Sequence, residues 1–271
     1  MQDKNGYKTT KIRQKSLFLI FLFIALQVGS YLVIAQEYDV SRSSNGTDPT
    51  EPRTRFDAYL ARIEPLSSGY ILQTTVAGAW SFKNRASIGI NIPLVYADFP
   101  SSVTFEVGDI HLNGMLALYQ KSNQETETFG RVSLGAEAYL NTGNVETGTG
   151  FGHYMLAPYL GFSYYPAPEL MITPLIEEFI SLDKNESNRQ RNDLSLRFNS
   201  TLTSENVWVT LVPELVVDLL GKNKNLWTLR SSLGYMFTSK TGISAELISE
   251  LAGEKRFNYL GQVSFRYLLN R

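Results

Sequence analysis

From about Arg53 to the C-terminus the chain alternates apolar and polar residues with a period of two, the pattern of strands with one greasy and one polar face. Over Asp109 to Tyr119, one face carries Ile110, Leu112, Gly114, Leu116 and Leu118, and the other Asp109, His111, Asn113 and Met115. Val132, Leu134, Ala136, Ala138 and Leu140 oppose Arg131, Ser133, Gly135, Glu137 and Tyr139 in the same way. Leu194, Leu196 and Phe198 oppose Asp193, Ser195, Arg197 and Asn199, and Trp227, Leu229, Leu233, Tyr235 and Phe237 oppose Thr228, Arg230, Ser232 and Thr238. The last segment is the most regular, with Phe257, Tyr259, Val263, Phe265, Tyr267 and Leu269 against Asn258, Gln262, Ser264 and Arg266. It ends on Asn270-Arg271, where barrel precursors typically end on an aromatic.

Strands are expected near 54–64, 69–80, 85–97, 107–119, 129–141, 153–165, 169–182, 192–202, 205–218, 226–238, 241–252 and 256–270. That is about a dozen, an even number, as a bacterial barrel needs to bring both chain ends out on one side. Tyr165-Pro166-Ala167-Pro168, Thr203-Ser204 and Ser239-Lys240-Thr241 read as tight turns, and Lys121 to Glu127, Asn141 to Gly152 and Asp183 to Arg191 as longer polar loops on the opposite side. The fold class predicted is all-β, a transmembrane antiparallel up-and-down barrel over residues 53–271. A soluble β-sandwich shows the same alternation; strand length, aromatics near strand ends and the N-terminal leader favour the barrel.

That leader has a basic stretch (Lys4, Lys8, Lys11, Arg13, Lys15), an apolar run from Leu17 to Leu26, and small residues before an expected cleavage between Ala35 and Gln36. An uncleaved anchor is the alternative, and Gln27, Gly29 and Ser30 interrupt it. No later stretch approaches the roughly 18 apolar residues of a membrane helix, so any further crossing must use strands. Gln36 to Pro52 is polar and aperiodic, and reads as a flexible segment. The Asn-glycosylation patterns at Asn45, Asn185 and Asn199 are chance matches in such a chain.

The chain's 271 residues are 43% hydrophobic, 12% aromatic and 19% charged, enough for one large domain. A net charge of −1 gives no electrostatic grip on nucleic acid, which is not an expected partner. Without cysteine there are no disulfides, thiolate metal sites or lipidated N-terminal cysteine.

With Leu and Val turned to lipid, the polar face lines a lumen and carries Asp109, His111, Arg131, Glu137, Asp193, Arg197, Glu214, Asp218, Arg230, Glu246, Glu250 and Arg266, with Trp208, Val212 and Val216. Pairing through the turns is expected to bring Arg230 near Glu214 on one side and Glu250 on the other. Such charges either fill a narrow barrel as Arg–carboxylate pairs or set up a transverse field that selects solutes.

An outer-membrane lipid hydrolase would need a Ser nucleophile beside a His base. Only His111 and His153 are available, and neither has an adjacent Ser. They also lack the spacing of a metal site, and no metal, catalytic residue or cofactor is expected. Thr147-Gly148-Thr149-Gly150-Phe151-Gly152 lacks the following Lys-Ser/Thr and helix of a phosphate loop, and reads as an external loop.

Asn91-Ile92-Pro93-Leu94-Val95, Val107-Gly108-Asp109-Ile110, Gly148-Thr149-Gly150 leading to Leu156-Ala157-Pro158-Tyr159, and Val212-Pro213-Glu214 before Trp227 follow one another in the order seen in a family of outer-membrane barrels. Over about Tyr70 to Leu269 the chain resembles the MetA-pathway of phenol degradation family, whose members are transporter-like. The resemblance implies an outer-membrane barrel for uptake of small, hydrophobic or aromatic solutes, and no catalytic residues. The expected function is therefore a passive channel or transporter in the outer membrane of a Gram-negative envelope, with a non-conducting structural barrel as the alternative. Its expected partners are outer-membrane lipid, the barrel-assembly machinery and a small-molecule solute.

Overall fold

The computed structural model describes residues 46–66, 68–100, 102–120, 129–183, 191–221 and 225–269. The leader, the Ala35/Gln36 cleavage point and residues 36–45 lie outside the described residues.

The strands are β1 (Arg55–Pro65), β2 (Tyr70–Phe82), β3 (Ala86–Phe99), β4 (Ser102–Val107), β5 (His111–Gln120), β6 (Phe129–Tyr139), β7 (Met155–Ala167), β8 (Leu170–Ser181), β9 (Asn192–Ser204), β10 (Val207–Asp218), β11 (Leu226–Met236), β12 (Thr241–Ala252) and β13 (Phe257–Leu268). β4 and β5 form one interrupted barrel strand: both pair antiparallel with β3, Val107 opposite Leu94 and His111 opposite Asn91. Gly108, Asp109 and Ile110 stand there against only Ile92 and Pro93, and the Gly108 N–H still reaches the Pro93 carbonyl at 2.8 Å. The strand expected at 107–119 thus begins at Ser102, because this bulge reverses the alternation on which the reading relied.

Counted so, the wall is a closed antiparallel ring of twelve strands, in which β1 pairs with β2 through Arg55↔Ala79 and with β13 through Arg55↔Leu268. First and last strands are joined, all the described strands belong to this one sheet, and the sandwich alternative is excluded. Apart from β4, strands of 10 to 14 residues tilted by about 40° rise roughly 25–36 Å, matching an apolar band of about 25 Å.

The start of β1, the end of β13 and the 83–85, 168–169, 205–206 and 237–240 turns share one end, here the near end; β6, β8 and β10 end, and β7, β9 and β11 begin, at the far end. At 83–85 the chain turns through Lys83 (φ 50°) and Asn84 (φ 54°), the two left-handed residues of a tight hairpin whose twist matches its strands. The connection over Lys121 to Glu127 falls outside the described residues; joining β5 to β6, it leaves from the near end, so this longer loop is not on the side expected.

Outward side chains are mostly apolar, with Thr74, Ser200 and Ser231 as small polar exceptions and Arg62, Glu64 and Glu178 toward the far end. Trp80 is 61% exposed and, with Phe56, Phe82, Tyr164, Tyr235 and Phe237, marks the near rim; Phe105 and Trp227 stand at the far end. A bulge between Ala117 and Tyr119 turns Tyr119 outward in the place expected for Leu118. Of the polar residues expected at the lumen, His111, Arg131, Glu137, Asp193, Arg197, Glu214, Asp218, Arg230, Glu246, Glu250 and Arg266 lie on strands on the side opposite the exposed apolar residues, and Asp109 lies between β4 and β5. Replacing Leu211, 47% exposed near mid-wall, with Arg is expected to cost about 2–4 kcal/mol in urea titrations of the barrel in lipid vesicles, whereas Ser232→Arg, inward beside Glu246, costs less.

Candidate functional site

Twelve strands about 4.8 Å apart at that tilt enclose a ring about 24 Å across between backbones, too wide for inward side chains alone to fill. The chain supplies the filling itself. From Gly46 the segment expected to be flexible runs into the near end of the lumen, where Asp48, Thr50, Glu51, Pro52, Arg53 and Thr54 are buried. The Gly46 carbonyl accepts from Arg266 Nη1 (2.8 Å) and Arg55 Nη1 (3.4 Å). Asp48 Oδ1 accepts from the Thr50 N–H and hydroxyl (2.8 and 2.6 Å), closing a local turn, while Oδ2 accepts from Arg131 Nη1 (3.1 Å) and the Tyr165 hydroxyl (3.2 Å). Ser133 Oγ donates to the Thr50 carbonyl (2.6 Å), Ser81 Oγ to the Pro52 carbonyl (3.1 Å), and the Ser81 N–H to Thr54 Oγ1 (3.0 Å). Arg53 Nε pairs with Glu51 at 2.7 Å and Arg131 Nη2 with Glu51 at 3.8 Å. Partners on β1, β2, β6, β7 and β13 hold this segment as a plug.

Beside it, Trp208, Met236 and Leu268 form the only buried apolar cluster among the described residues. The Trp208 ring lies over Gly234, its cross-strand partner, where a Cβ would stand 2.0 Å from Cζ2. Tyr159 lies over Gly135 in the same manner, with 2.2 Å to Cζ. Inward glycines let the neighbouring strand's large side chains lie flat along the wall.

The predicted lumen charges form local groups. Arg131 and Arg266 serve the plug, and Arg266 Nε also binds Asp57 at 2.8 Å. Arg197 joins Glu177 on β8 to Glu214 on β10, with 3.4 Å to Glu214. Glu214 also accepts from Ser195 (2.5 Å) and Thr228 (3.1 Å). Arg230 pairs with Glu246 at 3.6 Å, and Arg256 with Glu250 at 2.6 Å. The expected Arg230–Glu250 neighbourhood is therefore not formed: a bulge at Trp227/Thr228 puts Arg230 opposite Ile248, and Arg256, at the far end, takes Glu250. Glu214 stands opposite Thr228 and takes Arg197 as its ion-pair partner, while Arg230, one diagonal step away on β11, lies within Coulombic reach of it, the expected neighbourhood.

At the far end Arg191 pairs with Asp193, and Asp218 accepts from the Leu220 N–H at 2.8 Å. Asp109 accepts from the N–H groups of Gly143 (2.8 Å) and Phe151 (2.6 Å), anchoring the Gly-rich loop. Glu106 receives the hydroxyls of Thr147 (2.9 Å) and Thr149 (3.1 Å) on that loop. The His111 ring packs against Tyr139 with 4.1 Å between centroids, and His153 is buried.

Above the plug a cavity of ≈ 200 Å³ remains. One side has the small or uncharged Ala77, Ala79, Ser87, Asn91 and Asn113, the other Glu137, Tyr159, Glu177 and Arg197, and Asp48, Glu51, Arg53, Arg55 and Asp57 line it as well. Sequence reading missed the plug residues, Arg55, Asp57, Glu177, Glu106 and Arg256. The alternation of Arg53, Arg55 and Asp57 was the available signal for the start of β1 and its inward face.

No protein-family profile and no curated protein matches the chain in sequence. Among solved structures it is similar in fold to an outer-membrane channel from Pseudomonas putida F1, with a TM-score of 0.63 and 12% identity over 85% of this chain and all (100%) of that one. It is also similar to the KdgM porin (TM-score 0.54, 11% identity, 80% of this chain and 99% of that one) and the NanC porin (TM-score 0.54, 10% identity, 80% and 100%). At such identities the likeness is one of architecture, and the architecture shared is that of a closed antiparallel β-barrel.

Proposed function

We infer that the chain is an outer-membrane channel for small solutes, closed near its termini by its own 46–54 segment. The carrying observation is the polar cavity inside a ring whose outer surface is mostly apolar, with the plug as its floor. Solved barrels of similar fold that are described as channels and porins support it. The narrower reading, a MetA-pathway-type transporter of hydrophobic or aromatic solutes, rests on the ordered motifs between Tyr70 and Leu269. It carries with it a cleaved leader, outer-membrane lipid around the wall and insertion by the barrel-assembly machinery. A second reading, a non-conducting envelope barrel, is favoured by the buried ion pairs that seat the plug.

Planar-bilayer recording separates the two. Deletion of residues 46–54 is expected to raise unit conductance several-fold over the full chain; absence of discrete openings in both, with the barrel folded by its gel-mobility shift, would remove the channel reading. Because the chain has no cysteine, Thr50→Cys gives a single thiol. It should resist a membrane-impermeant maleimide in the folded protein and react at least tenfold faster when Arg131→Met unpairs Asp48, since orphaning a buried carboxylate costs about 3–5 kcal/mol.

A further inference from the structure

The cavity above the plug is crowded with charge, and nearly all of it is internally paired. Asp48 and Glu51 are held by Arg131, Asp57 by Arg55 and Arg266, and Glu177 by Arg197. Glu137 is the exception among the carboxylates lining it: its recorded partner is the Tyr139 hydroxyl, which donates to Oε2 at 2.7 Å, and no described arginine or lysine bridges to it.

Its surroundings are those of a cation receptor. Glu137 stands between Asn113 on β5 and Ala157 on β7 in the strand register, so an amide flanks it on one side and a single methyl on the other. Tyr159, one register step nearer the mouth of the plug, lies flat on Gly135 and within Coulombic reach of Glu137. A carboxylate without a cationic partner next to an aromatic ring is how an organic ammonium is recognised, by charge-assisted hydrogen bonds on one side and the ring face on the other. The ≈ 200 Å³ available corresponds to roughly six or seven waters at about 30 Å³ each, the size of a small amine.

We propose that this cavity is a binding site for a small organic ammonium, with Glu137 as the counter-charge, oriented by the Tyr139 hydroxyl, Tyr159 as the aromatic surface and Asn113 as the flanking polar contact. The proposal deepens the channel reading, since such a site would favour amine-bearing solutes among those admitted. Ala77 and Ala79 on β2 are what leave the room: larger inward residues there would fill the volume from the opposite side.

The test uses the full-length barrel in detergent micelles and isothermal titration with three near-isosteric probes, 2-phenylethylammonium, 2-phenylethanol and phenylacetate. Saturable binding of the ammonium, at least tenfold tighter than either other probe, is expected, and Glu137→Gln should weaken it at least tenfold. Asn113→Arg, which supplies Glu137 with a cationic partner across the β5–β6 ladder, should weaken it likewise and keeps the test open if Glu137→Gln does not fold. Equal or tighter binding of the alcohol or the acid, no binding of the ammonium, or unchanged ammonium affinity in a folded variant would overturn the proposal. Because binding in micelles needs no open pore, a failure here is distinguishable from a failure of the bilayer recording.

Discussion

The closure of β1 on β13 is the contact on which the rest of the molecule depends. In hydrocarbon no water is present to bond a free backbone N–H or C=O, and each unpaired group costs several kcal/mol. A sheet of this length can cross only as a ring, and the Arg55↔Leu268 to Ile63↔Leu260 ladder supplies the join. Once the ring is closed, period-two alternation sorts every side chain to lipid or lumen. A polar interior follows because the greasy face is already committed outward.

A ring of twelve strands then has the opposite difficulty, an interior too wide for its own inward side chains. The molecule meets it in two ways. Large inward residues lie flat where the adjacent strand offers glycine, as Trp208 does on Gly234 and Tyr159 on Gly135. The remaining space at the near end is taken by the 46–54 segment, whose carbonyls and carboxylates meet arginines and hydroxyls of the wall. Burying ion pairs such as Asp48–Arg131 adds little net stability over an apolar filling, but it fixes one seat for the segment, because an unpaired partner is strongly penalised.

Most of the wall was legible in the sequence because alternation is a local property. The strands over Arg131, Asp193, Arg230 and Arg266 lie where the pattern put them, with those residues facing the lumen. What the pattern could not carry was anything that changes its phase or arrives from far along the chain. The bulge at Gly108 to Ile110 hid β4, and the bulge at Trp227/Thr228 moved Arg230 off its expected partner. The plug was invisible for another reason: Gln36 to Pro52 has no periodicity, and the seating of its residues from Gly46 onward comes from residues such as Ser133, Arg131 and Arg266, over 80 to 220 positions later. Nothing in the composition of a polar segment distinguishes one held by a wall from one that has none.

The place of the plug in the chain has a consequence for biogenesis. The segment is made before any strand, yet its seat is assembled from the β2, β6, β7 and β13 residues, the last of them near the C-terminus. Contacts of such sequence separation form late, after the intervening chain has been ordered. Closing the wall at Arg55↔Leu268 spans nearly the same distance in sequence as the Gly46–Arg266 contact, so the seat of the plug is complete only once the ring itself is closed.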